Sequence, residues 1–282
     1  PYPKEDVGQL HFVQSPFGEK ELISLHPDYE PQRLYFSTDY TVDTYPFSGT
    51  PPVDWSANSW PSIGCGHNGR LILSGVTRTP ETIWGSAVFD WYDFDLASAV
   101  PDASKPYNFI TQVRGINTWV EGFKNLSFGT TRTEFSASDT VGDSSQGVTI
   151  KVDAQSSFGT QRMPQKSIVG NNVILISGNN STMRLWRFSD DDGGYISPDI
   201  SLKAEHIGNR IFKRSFYTRD PHQILWNIME DGSIALLGFD DKFNVMSWST
   251  FTTSGQVLDG CSLTDTQGGN VVFLLVRRVI NN

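Results

Sequence analysis

The densest set of groups able to do chemistry in this chain is Ser189-Asp190-Asp191-Asp192-Gly193, three carboxylates beside a hydroxyl and a glycine. Read as D-x-D-G they suit a hard cation such as calcium, but the glutamate that closes an EF-hand loop has no counterpart here. An acidic hairpin turn with solvated carboxylates is the simpler reading. The histidines His11, His26, His67, His206 and His222 include no pair at a metal-ligand spacing such as H-x-x-x-H. Cys65-Gly66-His67 places a thiol and an imidazole on one face of a strand, with no third group in sequence to orient the imidazole. Carboxylates at Asp90/Asp93/Asp95 and Asp240/Asp241 are compatible with glycosidase chemistry, and Trp84, Phe89, Trp91, Tyr92 and Phe94 with stacking on sugars. Turns of an all-β chain explain the first set and packing between sheets explains the second. No G-x-S-x-G elbow, P-loop or dinucleotide fingerprint occurs. The residues therefore give no catalytic, metal or cofactor site, and a non-enzymatic role is expected.

The elements that would carry these residues are short strands. From Gln223 to Arg277 the apolar runs Ile224–Ile228, Ile234–Phe239, Val245–Thr250, Val257–Leu263 and Val271–Val276 are separated by Asp231-Gly232, Asp240-Asp241-Lys242, Gly255 and Gly268-Gly269. Such runs between hairpin signals are antiparallel strands, about four to a blade or sheet. Upstream, strands are expected at Gln9–Gln14, Glu21–Leu25, Arg33–Phe36, Arg70–Gly75, Thr82–Val88, Ile110–Val113, Thr118–Phe123, Leu126–Thr130, Thr133–Ala137, Val173–Ser177 and Met183–Phe188. Tyr45 to Pro61 reads as a long Pro- and Ser-rich surface loop, Ser138–Gly147 as an exposed acidic loop, Leu96–Val100 as a turn or two of helix, and Ser201–Ile207 as a strand or short helix. Runs ending at Gly75, Gly129, Gly178 and Gly238 recur at roughly 50-residue intervals, near the repeat of large propeller blades. Radial repetition also disposes of the open edges that so many strands create. The expected fold is all-β and β-propeller-like, one domain over 1–282, with leading strands and the Pro/Ser-rich loop in 1–60 and blades in 61–282.

With 19% charged and 38% hydrophobic residues, the chain has the composition of a globular protein rather than a disordered one. No apolar run approaches the ~20 residues of a membrane-spanning helix. Cys65 and Cys261, the two cysteines, form neither a disulfide framework nor a zinc pattern and read as buried thiols. The net charge of −9 argues against a surface that grips phosphates and suits one past which DNA slides. The start at Pro1, with no basic-then-apolar leader, reads as a processed chain or a piece of a longer protein.

As S-x-D-x-G, residues 189–193 resemble the Asp-box of sialidase propellers, with Ile196 where an aromatic residue is expected; in those enzymes the box is a structural turn away from the catalytic site. A second resemblance spans nearly the whole chain. Tyr2, Leu10, Gln14-Ser15, His26-Pro27, Pro31 and Leu34 stand in the order found at the opening of a family of tail proteins from short-tailed bacteriophages. Arg70-Leu71, Gly75, Pro80, Thr82, Trp84, Ser86 and Phe94 match that family's next segment, and Phe128–Ser138 and Asp199–Ile207 resemble later ones. Trp226, Asp231-Gly232, Phe239, Val245 and Trp248 match its final hairpin. The family is the tail nozzle, also called tail tubular protein B or tail stabilisation protein.

The resemblance implies a structural virion protein that lacks cofactors and continues the genome-ejection channel below the portal and adaptor. It implies a homo-hexameric ring, contacts with an adaptor or head-completion protein and with tail fibres or spikes, and viral DNA that passes without specific binding. It places the chain in the virion tail, assembled in the host bacterial cytoplasm, with no membrane contact. On this reading Asp139, Asp143, Asp190, Asp191 and Asp192 are expected in acidic channel or surface loops. Arg70, Gly75, Pro80, Trp84, Trp226, Asp231, Gly232 and Trp248 are expected to be structural. The alternative is a carbohydrate-binding or carbohydrate-active propeller for recognition of a host surface.

Overall fold

The computed structural model describes the chain except residues 1, 4, 17–19, 98–101, 103, 112, 142–147, 163–165, 205–206, 208–209, 241–244 and 281–282, together with the side chains of 139–141 and 148. The fold is all-β and propeller-like, as its strand pattern predicts. The described residues form five four-stranded antiparallel sheets and one two-stranded sheet, and helix is confined to single turns such as Leu202–Ala204. Each sheet is a meander in which successive strands pair with their neighbours in sequence, the consequence of short turns between runs. The chain divides into two compact units, Pro1–Gly159 and Thr160–Asn282.

The first unit holds three sheets. The first comprises β1 (His11–Gln14), β2 (Glu21–His26), β3 (Tyr29–Phe36) and β4 (Tyr40–Thr44). The second comprises β5 (Ile63–His67), β6 (Arg70–Ser74), β7 (Thr82–Gly85) and β8 (Tyr107–Ile110). The third comprises β9 (Asn117–Gly122), β10 (Leu126–Thr130), β11 (Glu134–Val141) and β12 (Val148–Ser156). Their first strands, β1, β5 and β9, lie side by side, and His11 Nε2 donates across to Gly64 O at 2.9 Å. This is the radial packing of blades.

Alternation along β6 explains why the sheets stack face to face. Leu71 and Leu73 enter one core with Val13, Ile23, Leu25, Trp55 and Trp84. Ile72 points the other way, into a core with Ile63, Cys65, Ile83, Val120 and Phe128. A strand with apolar residues on both faces must be covered on both faces, and β6 is buried at every position.

The second unit repeats the scheme. One sheet comprises β13 (Ser167–Val169), β14 (Asn172–Ile176), β15 (Met183–Ser189) and β16 (Gly194–Ile196). The next comprises β17 (Phe212–Thr218), β18 (Ile224–Met229), β19 (Ile234–Asp240) and β20 (Val245–Phe251), and a final hairpin comprises β21 (Gln256–Thr264) and β22 (Asn270–Arg277). Leu225, Met229, Ala235 and Leu237 face β13–β16, while Ile228, Ile234, Trp226 and Leu236 pack with Val257, Leu274 and Val276 of the hairpin. The runs ending at Gly75, Gly129 and Gly178 are second strands of their sheets, whereas Gly238 lies in a third strand, β19. The final interval of the repeat is therefore the longest.

Several expectations need correction. The stretch from Tyr45 to Pro61 is no surface loop: Tyr45, Trp55, Ser59 and Pro61 are buried. Its aromatic residues join the core, where Trp55 meets Trp84 edge-on at 5.7 Å and Phe47 packs on Phe94. Proline suppresses regular structure there without keeping the side chains in water. The strand read at Ile110–Val113 ends at Ile110 and begins at Tyr107. β11 and β12 continue to Val141 and from Val148, into the stretch read as an acidic loop; residues 142–147, Asp143 among them, lie outside the described residues. Within Ser201–Ile207 the helical one of the two readings holds, with a 3-10 turn at Leu202–Ala204; residues 205–206, and the outer residues 98–100 of the Leu96–Val100 helix expectation, lie outside the described set. Cys65 is buried but Cys261 is exposed, because it sits on the uncovered face of β21, and no disulfide joins them.

Candidate functional site

The acidic segment 189–193 is the exposed turn between β15 and β16. Ser189 Oγ donates to Asp192 Oδ2 at 2.6 Å, the amide of Asp192 donates back to Ser189 Oγ at 3.3 Å, and Gly193 takes φ +62. The hydroxyl and glycine thus build the turn, and Asp190 and Asp191 extend into solvent. Beneath it Tyr195, one residue before Ile196, lies flat on Trp186 at 5.0 Å. Asp139 sits on β11 opposite Ile150, and its side chain lies outside the described residues, as does Asp143. Among the described residues no cluster of His, Cys, Asp or Glu could hold a metal ion.

The positions singled out by the phage-tail resemblance lie in turns, in buried strands and at contacts between strands. Arg70 is 3% exposed; its guanidinium donates to Ser86 O and to Lys105 O (2.9 Å) and lies 5.0 Å above the Tyr107 ring. Gly75 turns the chain at φ +74, where a Cβ would fall 2.3 Å from Ser62 Oγ. Pro80 O receives the amide of Asn117 at 3.0 Å, and Trp84 is buried. Trp226 stacks on Phe216 and donates its Nε1–H to Thr218 Oγ1 at 3.2 Å. Asp231 and Gly232 (φ +81) make the β18–β19 turn, and Trp248 Nε1 donates to Ile200 O at 3.1 Å. Asp231 Oδ1 accepts from Ser233, and this bonding is the largest of the effects that hold its carboxyl below the ordinary value, with Arg210 contributing.

Most of the other residues with chemical potential are buried. Trp84, Trp91 and Phe94 are in the core, so of the aromatic set it is Phe89, 75% exposed, that stands on the surface. Cys65 lies among Ile63, Ile72 and Ile83. Fully buried His26 accepts the amide of Asp28 at its Nδ1 and packs against Tyr29 at 4.9 Å.

One polar cluster was missed in the sequence reading. Glu21 is buried, and its Oε2 accepts the hydroxyl of Tyr92 at 2.9 Å. Burial first, then the Glu21 carboxylate, pushes the phenols of Tyr45 and Tyr92 up. The signal was available: Glu21 shares the period of Ile23 and Leu25, so alternation alone places its carboxylate on the buried face of β2.

In the second unit a cleft of about 250 Å³ opens between Leu185, Arg187, Asp199, Ile200, Phe239 and Val245. Its base is apolar, and Asp199 Oδ1 is engaged by the amide and hydroxyl of Ser201 at 2.8 and 2.7 Å. Among the described residues that line it there is no Ser, Thr, Cys or His, and so no nucleophile–base pair.

No family model matches the chain, and no curated protein matches it. Solved structures do. The WD40 β-propeller domain of Doa1 aligns with 93% of this chain and 73% of its own, at 14% identity and TM-score 0.49. YCF48 bound to D1 peptide aligns over 92% and 76%, at 11% identity and TM-score 0.51. A protein from Lactobacillus plantarum aligns over 94% and 82%, at 10% identity and TM-score 0.52. Identities this low speak to fold alone, and the fold is the propeller-like array of antiparallel blades described above.

Proposed function

We propose that this chain is a non-enzymatic structural component of a short bacteriophage tail, part of a ring-shaped nozzle that continues the DNA channel below portal and adaptor. The observation that supports this reading most is the colinear resemblance across the chain. Its matching residues, from Arg70 and Gly75 to Trp226, Gly232 and Trp248, hold turns and sheet interfaces. A family sharing a scaffold would keep such residues while its surface loops varied. The net charge of −9 adds a physical argument, since a conduit must not retain the polyanion it conducts. Under this reading the copies form a hexameric ring in the virion tail and contact an adaptor and tail fibres or spikes.

Electron microscopy of the particle that contains this chain tests the reading. Six copies around a channel in line with a portal are expected. A single copy, or three at a fibre tip with sugar density on a blade, would replace it with the carbohydrate-recognition alternative.

A further inference from the structure

The meander order of the first unit brings three connections to one end of its second and third sheets. They are the β6–β7 connection at 75–81, the β8–β9 connection at 113–116 and the β10–β11 turn at 131–133. Backbone bonds tie them together: the amide of Asn117 donates to Pro80 O at 3.0 Å, and that of Thr131 to Ile116 O at 3.1 Å. Gly115 passes so near Thr130 that a Cβ would meet its side chain at 2.9 Å. Each connection carries one exposed arginine, Arg78, Arg114 and Arg132. Among the described residues none of these three guanidiniums has an ion-pair or hydrogen-bond partner. The carboxylates on the same connections do not neutralise them. Glu81 is half-buried, and Glu134 is fully buried, with Oε2 accepting the amide of Phe158 at 3.3 Å.

Apolar side chains are exposed among these arginines. Val113 and Ile116 are 37 and 54% exposed, and Phe158, whose neighbour Gly159 abuts Thr131, is 52% exposed. The backbone beneath is held in place, since the amide of Arg78 donates to Ser59 Oγ and that of Arg132 to Thr130 Oγ1, each at 3.1 Å. A surface already ordered loses less entropy when something docks on it. The charge here also runs against its surroundings. The first unit contains nineteen Asp and Glu against ten Lys and Arg, which accounts for the whole net charge of −9.

We propose that this surface docks a short acidic peptide segment of a partner protein, one whose carboxylates flank one or two apolar side chains. Arginine forks match carboxylates in geometry as well as charge, and clusters of them recognise acidic motifs. Ile116 and Phe158 would cover the apolar side chains between the carboxylates. A long polyanion such as a nucleic acid is disfavoured, because beyond the three arginines it meets the acidic remainder of the unit. A peptide of a few residues ends before that repulsion begins. The inference concerns one end of the first unit and does not rest on the tail reading, so the symmetry of the particle leaves it untouched.

A library of random peptides of about 12 residues, displayed on yeast and panned on the full chain, tests it. Enrichment of peptides in which Asp or Glu flanks Leu, Ile or Phe is expected. A synthetic copy of an enriched peptide should bind Arg114→Glu about tenfold more weakly, and Arg114→Glu combined with Arg132→Glu about a hundredfold. Its affinity should fall as salt rises, and Ile116→Ser should weaken it at every salt concentration. Lys151→Glu, at an exposed position on β12, should change it little. Circular dichroism would verify that these solvent-facing changes keep the fold. Should the double variant unfold, phenylglyoxal modification of the unaltered chain decides: the peptide should shield Arg114 and Arg132 and leave exposed Arg219 of the second unit reactive. No enrichment of acidic peptides, undiminished binding to the folded double variant or no shielding would overturn the proposal. So would a single-stranded oligonucleotide of equal charge that binds more tightly than the peptide.

Discussion

The rings of Phe216 and Trp226 lie parallel, 6.0 Å apart and 7° from coplanar, on adjacent strands β17 and β18. They form the floor on which the terminal hairpin rests. Gly260 of β21 passes so close to Phe216 that a Cβ there would meet the ring at 2.7 Å. The hairpin is therefore fixed to its neighbour by aromatic packing and close backbone approach.

Truncation of Trp226 to Ala should cost roughly 3 kcal/mol, since it removes the stack and part of the cluster with Ile228, Ile234 and Val257. Denaturant titration would measure it. Hydrogen exchange should show β21–β22 loosening before the first unit changes, and uniform loosening of both units would refute this account.

Arg70 tests whether a buried guanidinium is replaceable by charge alone. Its Nη1 serves two carbonyls and its plane covers Tyr107, geometry that a lysine cannot reproduce. Arg70→Ala should destabilise by about 3 kcal/mol and Arg70→Lys by somewhat less, because unsatisfied buried carbonyls remain in both. Equal stability of Arg70→Lys and the parent would show that the fork is unimportant.

At Gly75 two effects add. A Cβ would clash with Ser62 Oγ and would also occupy the left-handed region at φ +74. Gly75→Ala should therefore lose more than about 1 kcal/mol. Ser62→Ala in the same chain should recover only the steric part, since the strain at φ +74 persists. Full recovery would mean that the backbone conformation costs nothing.

The β18–β19 turn should weaken in acid. Hydrogen bonds from Ser233 hold the Asp231 carboxyl below its ordinary value of 3.8. A carboxyl depressed by folding stabilises the native state above its unfolded value, and that contribution disappears as pH falls through the lower, folded one. Stability measured against pH should show a gap between the parent and Asp231→Asn that is constant near neutrality and closes below about pH 4. A gap unchanged at pH 2 would assign the turn's stability to shape alone.

Much of the fold was legible because the core strands declare themselves. Leu71-Ile72-Leu73, Val173–Ile176 and Ile224–Met229 are apolar on both faces, and such runs between glycines can hardly be anything but covered strands. The outer strands were harder to read. β4 (Tyr40–Thr44) and β12 (Val148–Ser156) are largely polar, and β17 carries Lys213-Arg214 on exposed positions; no apolar run marks them, and hydrogen bonding to an inner neighbour makes them strands.

The sequence by itself determined the all-β class, the blade-like repeat and the hairpin turns at Asp231-Gly232 and residues 189–193, because these follow from local alternation and turn chemistry. Tertiary structure alone decided that Tyr45 and Trp55 belong to the core and that Arg70 caps two carbonyls. Those outcomes depend on which strands meet, and contacts between residues far apart in the chain leave no mark on the pattern of either one.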